Sequence, residues 1–289
     1  MHLEFDPDAT FDGPGLETSL PLRPDGTRYA SYAETIADLA RPAVFENRPT
    51  YRLLTADLAA ARPVLRFGRG TYFDSINTGE AAAHEYAADR HELRRTIGDP
   101  CDPTRRPVNV AISTLTIRSD TSAGSTFYLH WRDPAKVGHA GGLYQVVPSG
   151  IFQPTADENT DFSLWRNLIR ELSEELLGLP ETYTHSINYK TWPFAADLTD
   201  ALANGSIRAY CVGLGVDPLT FATDLLTVLS IDAELFDTLF PKVAKSNEEG
   251  QLLTPKPFTA EFINTYTRHE PMQAAGAALL QLAWDHQLG

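Results

Sequence analysis

The sequence predicts an α+β fold in which a mixed β-sheet is layered with helices. Segments of strand character and segments of helix character follow one another without strict β–α–β alternation. Hydrophobic residues make up 43% of the 289 positions and aromatics 10%, a composition suited to a packed globular core. An amphipathic helix expected from about Phe162 to Leu177 lies between strand-like segments and stops at Gly178-Leu179-Pro180.

Residues 1 to about 27 are rich in Pro, Gly and Asp and read as an irregular arm. Ser31 to Leu39 reads as a helix, with Ser31 as cap and Glu34 three residues on. The glycines of Phe67-Gly68-Arg69-Gly70-Thr71-Tyr72-Phe73-Asp74 lack both the P-loop ending and the dinucleotide fingerprint, so a turn with positive φ is expected there. Asn77-Thr78-Gly79-Glu80 looks like a capped entry to one alanine-rich helix, Ala81 to about Arg95. Three prolines between Ile97 and Pro107 suggest a boundary. Residues 1–105 would then be an N-terminal α/β extension or small domain, and 106–289 the main domain.

From Val108 the character changes. Strands are expected at Val108–Ile112 and Leu115–Ile117, Thr126–Trp131, Tyr144–Phe152, Ile207–Val216 and Leu225–Ile231. Of His130 and Trp131, which alternate along a strand, Trp131 is expected to face the core. Closing helices are expected at Phe258–Tyr266 and Pro271–Gln287, the second with Pro271 in its first turn.

With 24 basic and 38 acidic residues the net charge is −14, which disfavours phosphate backbones, so no nucleic-acid partner is expected. No apolar run approaches a membrane span, and the N-terminus has no basic, apolar leader pattern. Two cysteines, Cys101 and Cys211, offer neither a disulfide framework nor metal-ligand spacing, and a cytoplasmic setting is expected.

The segment carrying most chemistry is Arg170-Glu171-Leu172-Ser173-Glu174-Glu175. On a helical wheel with Glu171 at zero, Glu175 falls near about 40° and Glu174 near about 300°. The three acids thus share one arc beside the apolar stripe of Trp165, Leu168, Ile169, Leu172 and Leu176. Arg170 stands four residues before Glu174 and is expected to pair with it. Clustered carboxylates repel, and a hard divalent cation offsets that cost. On the helix alone, a solvated acidic face and a metal site both remain open.

This segment, with Gln145-Val146-Val147-Pro148-Ser149-Gly150 before it, resembles the Nudix box, G-x5-E-x7-R-E-U-x-E-E-x-G-U, where U is apolar. His130-Trp131-Arg132-Asp133-Pro134-Ala135-Lys136 and Gln273-Ala274-Ala275-Gly276-Ala277 are similar to actinobacterial Nudix-like proteins described as regulators. Some of those carry a helix-turn-helix, of which no convincing copy is found here. The resemblance implies a mixed sheet sandwiched between helices. It implies Mg²⁺ or Mn²⁺ held by Glu174 and Glu175, with Glu171 as further ligand or water-orienting base and Arg170 as structural partner. A backbone carbonyl near Ser149 or Gly150 is a further candidate ligand.

The box departs from the pattern in three places. Gly150 stands 20 residues before Arg170 where the pattern has 14, Phe162 occupies the place of the first Glu, and the exit is one residue longer. Asp161 and Glu158 are the candidate substitutes for that Glu, out of register. Further candidates for substrate contacts are Arg132, Lys136 and His139, and the acids Glu248 and Glu249 before Gly250. Exposed loop charges account for each of these as well. Tyr144 and Phe152 are candidates for stacking a base or sugar, with core packing the plainer role.

The function expected is Mg²⁺-dependent hydrolysis of a phosphoanhydride bond in a nucleoside-diphosphate-type substrate. A catalytically inactive ligand sensor or regulatory module on the same fold is the alternative, and isomerisation of a diphosphate ester a third. A small phosphorylated molecule is the expected partner. A homodimer is compatible with the sequence.

Overall fold

The computed structural model describes residues 1–14, 20–42, 44–136, 140–180, 186–246 and 250–289. The chain divides into two compact units, Met1–Val110 with Val216–Thr223, and Ala111–Gly215 with Asp224–Gly289.

The first unit is α/β. Its elements are β1 (His2–Phe5), α1 (Tyr32–Leu39), β2 (Pro49–Asp57), β3 (Val64–Thr71), α2 (Tyr72–Ser75), a π-turn at Ile76–Glu80, α3 (Ala81–Ala87) and α4 (Glu92–Ile97). The sheet order is β1-β3-β2, with β1 parallel and β2 antiparallel to β3. Alternation along β2 and β3 buries Tyr51, Leu53, Leu65 and Phe67. The Ser31 cap forms as expected, its side chain accepting from the Glu34 amide at 3.1 Å.

Three expectations fail in this unit. The N-terminal arm contributes a strand, because pairing with β3 satisfies its backbone groups. Phe67 to Thr71 is strand and not a turn. Gly70 serves close cross-strand approach, since a Cβ there would press against Arg52 and Thr50 of β2. The helix expected from Ala81 to Arg95 breaks in two, with Asp89 at φ 55° between α3 and α4, and the cap-like Asn77–Glu80 lies inside the π-turn. The loop Val216–Thr223 belongs to this unit through Phe221, which packs with Ala81, Ala82, Leu93 and Ile97. Arg94 lies over the Phe221 ring at 4.5 Å and donates to the Pro218 carbonyl. Arg106, its guanidinium pKa pushed down to about 10 by burial, donates to Thr223 Oγ1.

The second unit contains β4 (Val110–Ser119), β5 (Thr126–Phe127), β6 (Leu129–Arg132), β7 (Tyr144–Val146), β8 (Ser149–Ile151), α5 (Glu158–Asp161), α6 (Leu164–Leu177), α7 (Pro193–Asn204), β9 (Ile207–Val216), β10 (Thr223–Asp232), α8 (Ala233–Leu239), β11 (Gly250–Leu252), β12 (Lys256–Pro257), α9 (Ala260–Arg268) and α10 (Ala274–Asp285). One sheet runs β12-β5-β4-β10-β9, with β8 also on β4, and a second runs β11-β6-β7. Strand β10 shows why helices cover both faces. Leu229 and Ile231 pack with Leu168, Leu172, Leu198 and Phe236 of α6, α7 and α8, whereas Leu226 and Val228 pack with Ile263, Leu279 and Leu280 of α9 and α10. This is the expected mixed sheet between helices.

The details sharpen the sequence reading. The strand expected over Val108–Ile112 and Leu115–Ile117 forms as β4. The strand expected over Thr126–Trp131 divides into β5 and β6, and Tyr144–Phe152 divides at Pro148, a residue with no amide to donate to a ladder. Helices α7 and α8 were not expected. The last helix starts after Gln273, so Pro271 lies outside it. His130 is 2% exposed and Trp131 only half-buried, the reverse of the expected inward residue. Among the described residues no helix is long and apolar enough to cross a membrane.

Candidate functional site

Helix α6 begins where Ser163 accepts from the Arg166 amide and ends at Gly178 with φ 70°. Its apolar residues Leu168, Ile169, Leu172 and Leu176 enter the core. That anchoring carries Glu171 and Glu175, one turn apart, inward with them. They are 9% and 7% exposed, while Glu174 is half-buried.

Both buried acids meet the turn into β8. The Ser149 amide donates to Glu175 Oε1 at 2.7 Å. Gly150 lies so close to Glu171 that a Cβ there would overlap the carboxyl group. Asn167, fully buried, offers its amide nitrogen to Glu171 Oε1 at 3.4 Å. The structure gives this turn an amide donor to Glu175 and, at Gly150, the room that the Glu171 carboxyl occupies.

Arg170 is held differently from the expected Glu174 pairing. Its guanidinium lies 3.4 Å from Asp161 Oδ1, with side chains 4% and 2% exposed. It also donates to the Gln153 carbonyl at 2.9 Å, to Asn167 Oδ1 at 2.8 Å and to Tyr189 Oη at 3.3 Å. Burial would lower the Arg170 pKa, but Tyr189, Glu171 and Asp161 around it raise it overall. Asp161 is drawn the other way: burial raises its pKa, but bonds from Thr155 and the charge of Arg170 outweigh that and hold it below the ordinary value. Through Oδ2, Asp161 accepts from the Thr155 amide and hydroxyl, both at 2.8 Å. The carboxylate that meets Arg170 from the lengthened loop is therefore Asp161, one residue before the register position held by Phe162.

Sequence reasoning missed Asn167, Tyr189 and the donor role of Ser149. A signal for Asn167 existed, because a polar residue four before Glu171 and three before Arg170 reaches both on a helix. Tyr189 carried none, since its meeting with Arg170 comes from tertiary packing.

The remaining candidates are dispersed. Arg132 is half-buried on β6, and Lys136 is exposed in the turn that follows. Tyr144 lies edge-on to Tyr266, and Phe152 is fully buried beside Phe162, both in packing roles. His139, Glu248 and Glu249 lie outside the described residues. Among the described residues, no three His, Cys, Asp or Glu side chains form a group that could hold a metal ion.

Solved structures give the comparison. Shewanella oneidensis NrtR complexed with a 27mer DNA aligns over 62% of this chain and 61% of that chain, at TM-score 0.36 and 13% identity. The NUDIX domain of the same protein, complexed with ADP ribose, aligns over 63% of this chain and 89% of that one, at TM-score 0.37 and 13% identity. A NUDIX hydrolase from Alicyclobacillus acidocaldarius aligns over 60% and 90%, at TM-score 0.35 and 15% identity. The chain is similar in structure to Nudix proteins. It spans 61% and 63% of two of the NrtR chains it matches. The sequence matches no family model and no curated protein. Similarity at this level carries no activity or substrate from the Nudix proteins to this chain.

Proposed function

We propose that this chain is a Mg²⁺- or Mn²⁺-dependent hydrolase of Nudix type, cleaving a phosphoanhydride bond in a nucleoside-diphosphate-type substrate. The observation that carries the reading is the placement of Glu171 and Glu175 against Ser149-Gly150, where the backbone gives way to carboxylate. The donors are all carboxylate oxygen, which suits a hard cation, and Glu171, Glu174 and Glu175 would hold the ion once their side chains converge, since they do not already form a group of three. A bound divalent ion would supply an activated water and neutralise charge developing on phosphate oxygens.

The rest is the chain's own work. Asp161 and Arg170 tie the loop before α6 to the helix, so the carboxylates are presented from a rigid element. Asn167 bridges Arg170 and Glu171 and limits the rotamers of each. Arg132 and Lys136 are proposed to grip substrate phosphates, and Glu248 or Glu249 to add a carboxylate.

The second reading, a ligand sensor without turnover, has its own observation. The described acids do not form a ready group of three, and both buried ones are already engaged. Purified protein incubated with Mg²⁺ or Mn²⁺ and nucleotide sugars, dinucleoside polyphosphates or oxidised nucleotides separates the two by mass spectrometry of products. Metal-dependent turnover that falls by about 10²-fold or more in Glu174→Gln and Glu175→Gln supports hydrolysis. Saturable binding without turnover, retained in those variants, establishes the sensor, and absence of any divalent-ion binding sinks the hydrolase.

A further inference from the structure

Three strands around Ser149 carry polar side chains in a place where apolar ones would pack. Ser113 on β4 is fully buried, Asp224 on β10 is 4% exposed and Gln145 on β7 is 2% exposed. Ser113 Oγ donates to Asp224 Oδ1 at 2.7 Å and lies 3.0 Å from Ser149 Oγ. Gln145 Nε2 lies 3.4 Å from Ser113 Oγ and 3.3 Å from Ser149 Oγ, while Gln145 Oε1 accepts from the Val146 amide at 3.0 Å.

Counting hydrogens gives this network a direction. Ser113 has one hydroxyl hydrogen, and Asp224 takes it. Ser113 Oγ can then only accept from Ser149, so the Ser149 hydroxyl hydrogen points at Ser113. Gln145 has two amide hydrogens, one for each serine oxygen. Each of these side-chain bonds is therefore oriented toward the Asp224 carboxylate. Burying a charged carboxylate costs several kcal/mol unless donors compensate it, and a core of plain apolar residues would avoid that cost. A directed network holds one geometry where an apolar cluster would tolerate several.

Ser149 lies within this network, and its backbone amide holds Glu175. The geometry points to Asp224, Ser113 and Gln145 as positioning residues that fix the Ser149 turn and, through its amide, the rotamer of Glu175. This rests on the hydrolase reading for its purpose, but not for its structural content. A carboxylate that must meet a cation in one orientation needs a fixed donor, and the network clamps that donor from the side chain of the same residue.

The test uses the whole chain and the variants Ser113→Ala, Ser149→Ala and Asp224→Asn, each alone and with Glu175→Gln. Ser149→Ala keeps the amide and removes only its link to the network, so it remains informative if Asp224→Asn fails to fold. Two readouts are taken: amide hydrogen exchange by NMR, and the dissociation constant of Mn²⁺ alone by electron paramagnetic resonance. Exchange at Ser149 is expected to accelerate about tenfold, the equivalent of one lost neutral hydrogen bond. The Thr114 and Thr116 amides, bonded to the Pro148 and Val147 carbonyls, should change little and serve as controls. Mn²⁺ binding is expected to weaken about fivefold in each single variant and not to weaken further when Glu175→Gln is already present. Unchanged exchange at Ser149, exchange that rises equally at Thr114, or additive losses with Glu175→Gln each overturn the inference. If the unaltered protein binds no Mn²⁺, the hydrolase reading fails, while Ser149 exchange still decides the positioning role.

Discussion

Gly150 and Glu171 show how one absent methyl group shapes the candidate site. The overlap that a Cβ would cause falls on the end of a flexible side chain, so Gly150→Ala should displace the Glu171 carboxylate and leave the fold nearly intact. Mn²⁺ titration of Gly150→Ala is expected to show at least a tenfold loss of affinity, with a melting temperature within a few degrees of the parent. Asp161 and Arg170 differ, since each is buried and leaves the other stranded. Arg170→Met or Asp161→Ala should cost roughly 3–5 kcal/mol in denaturant unfolding. The pH dependence follows from the depressed Asp161 pKa, because a carboxylate held below its unfolded value of 3.8 stabilises the folded state above that value. That contribution is lost as pH falls through the folded value. Unfolding curves at pH 7 and pH 3 should therefore show a steeper acid loss in the parent than in Asp161→Asn. At this scale the clustering of Glu171, Glu174, Glu175 and Arg170 on one helix was legible from spacing, while their metal role came only from the resemblance to the Nudix box. The partner of Arg170 was not, because the lengthened loop takes Asp161 out of the register in which it would be sought.

Helix α6 was readable as an element because its signals are local: Ser163 as cap, a 3.6-residue apolar stripe and Gly178 as stop. Ser163→Ala should cost about 1 kcal/mol by loss of the cap bond, checked by equilibrium denaturation. Strands β2 and β3 were not readable for the opposite reason. Pro49, Gly68 and Gly70 punctuate them in ways that signal turns, and only cross-strand pairing overrides that signal. The alanine-rich stretch after Ala81 has strong helical propensity throughout, yet it breaks near Asp89. There Leu93 and Ile97 turn into a core with Phe221, a residue more than a hundred positions away.

For the whole molecule, the two units differ in how much of their core is continuous in sequence. In the first, Phe221 and the carbonyls of Pro218 and Leu219 supply contacts that residues 1–110 cannot make alone. A fragment of residues 1–110 is accordingly expected to unfold at lower denaturant concentration and with a shallower transition than the same unit in the whole chain, as read by tryptophan-independent circular dichroism. A net charge of −14 leads us to predict weak binding of duplex DNA by this chain by itself. Gel-shift titration at low salt is expected to give no retarded band, and a specific complex there would overturn that expectation.

By itself the sequence determined the fold class and the helix that carries the acids. Hydrophobic period, caps and stop signals act within a few residues and need no distant partner. Tertiary structure alone decided which carboxylates turn inward, that Asp161 meets Arg170, and that Ser149 holds Glu175. Those contacts join residues 9 to 26 positions apart across loops and strands. The R-E-L-S-E-E segment was legible as a helix bearing clustered acids, but which of those acids turn inward is set by the strands beneath it.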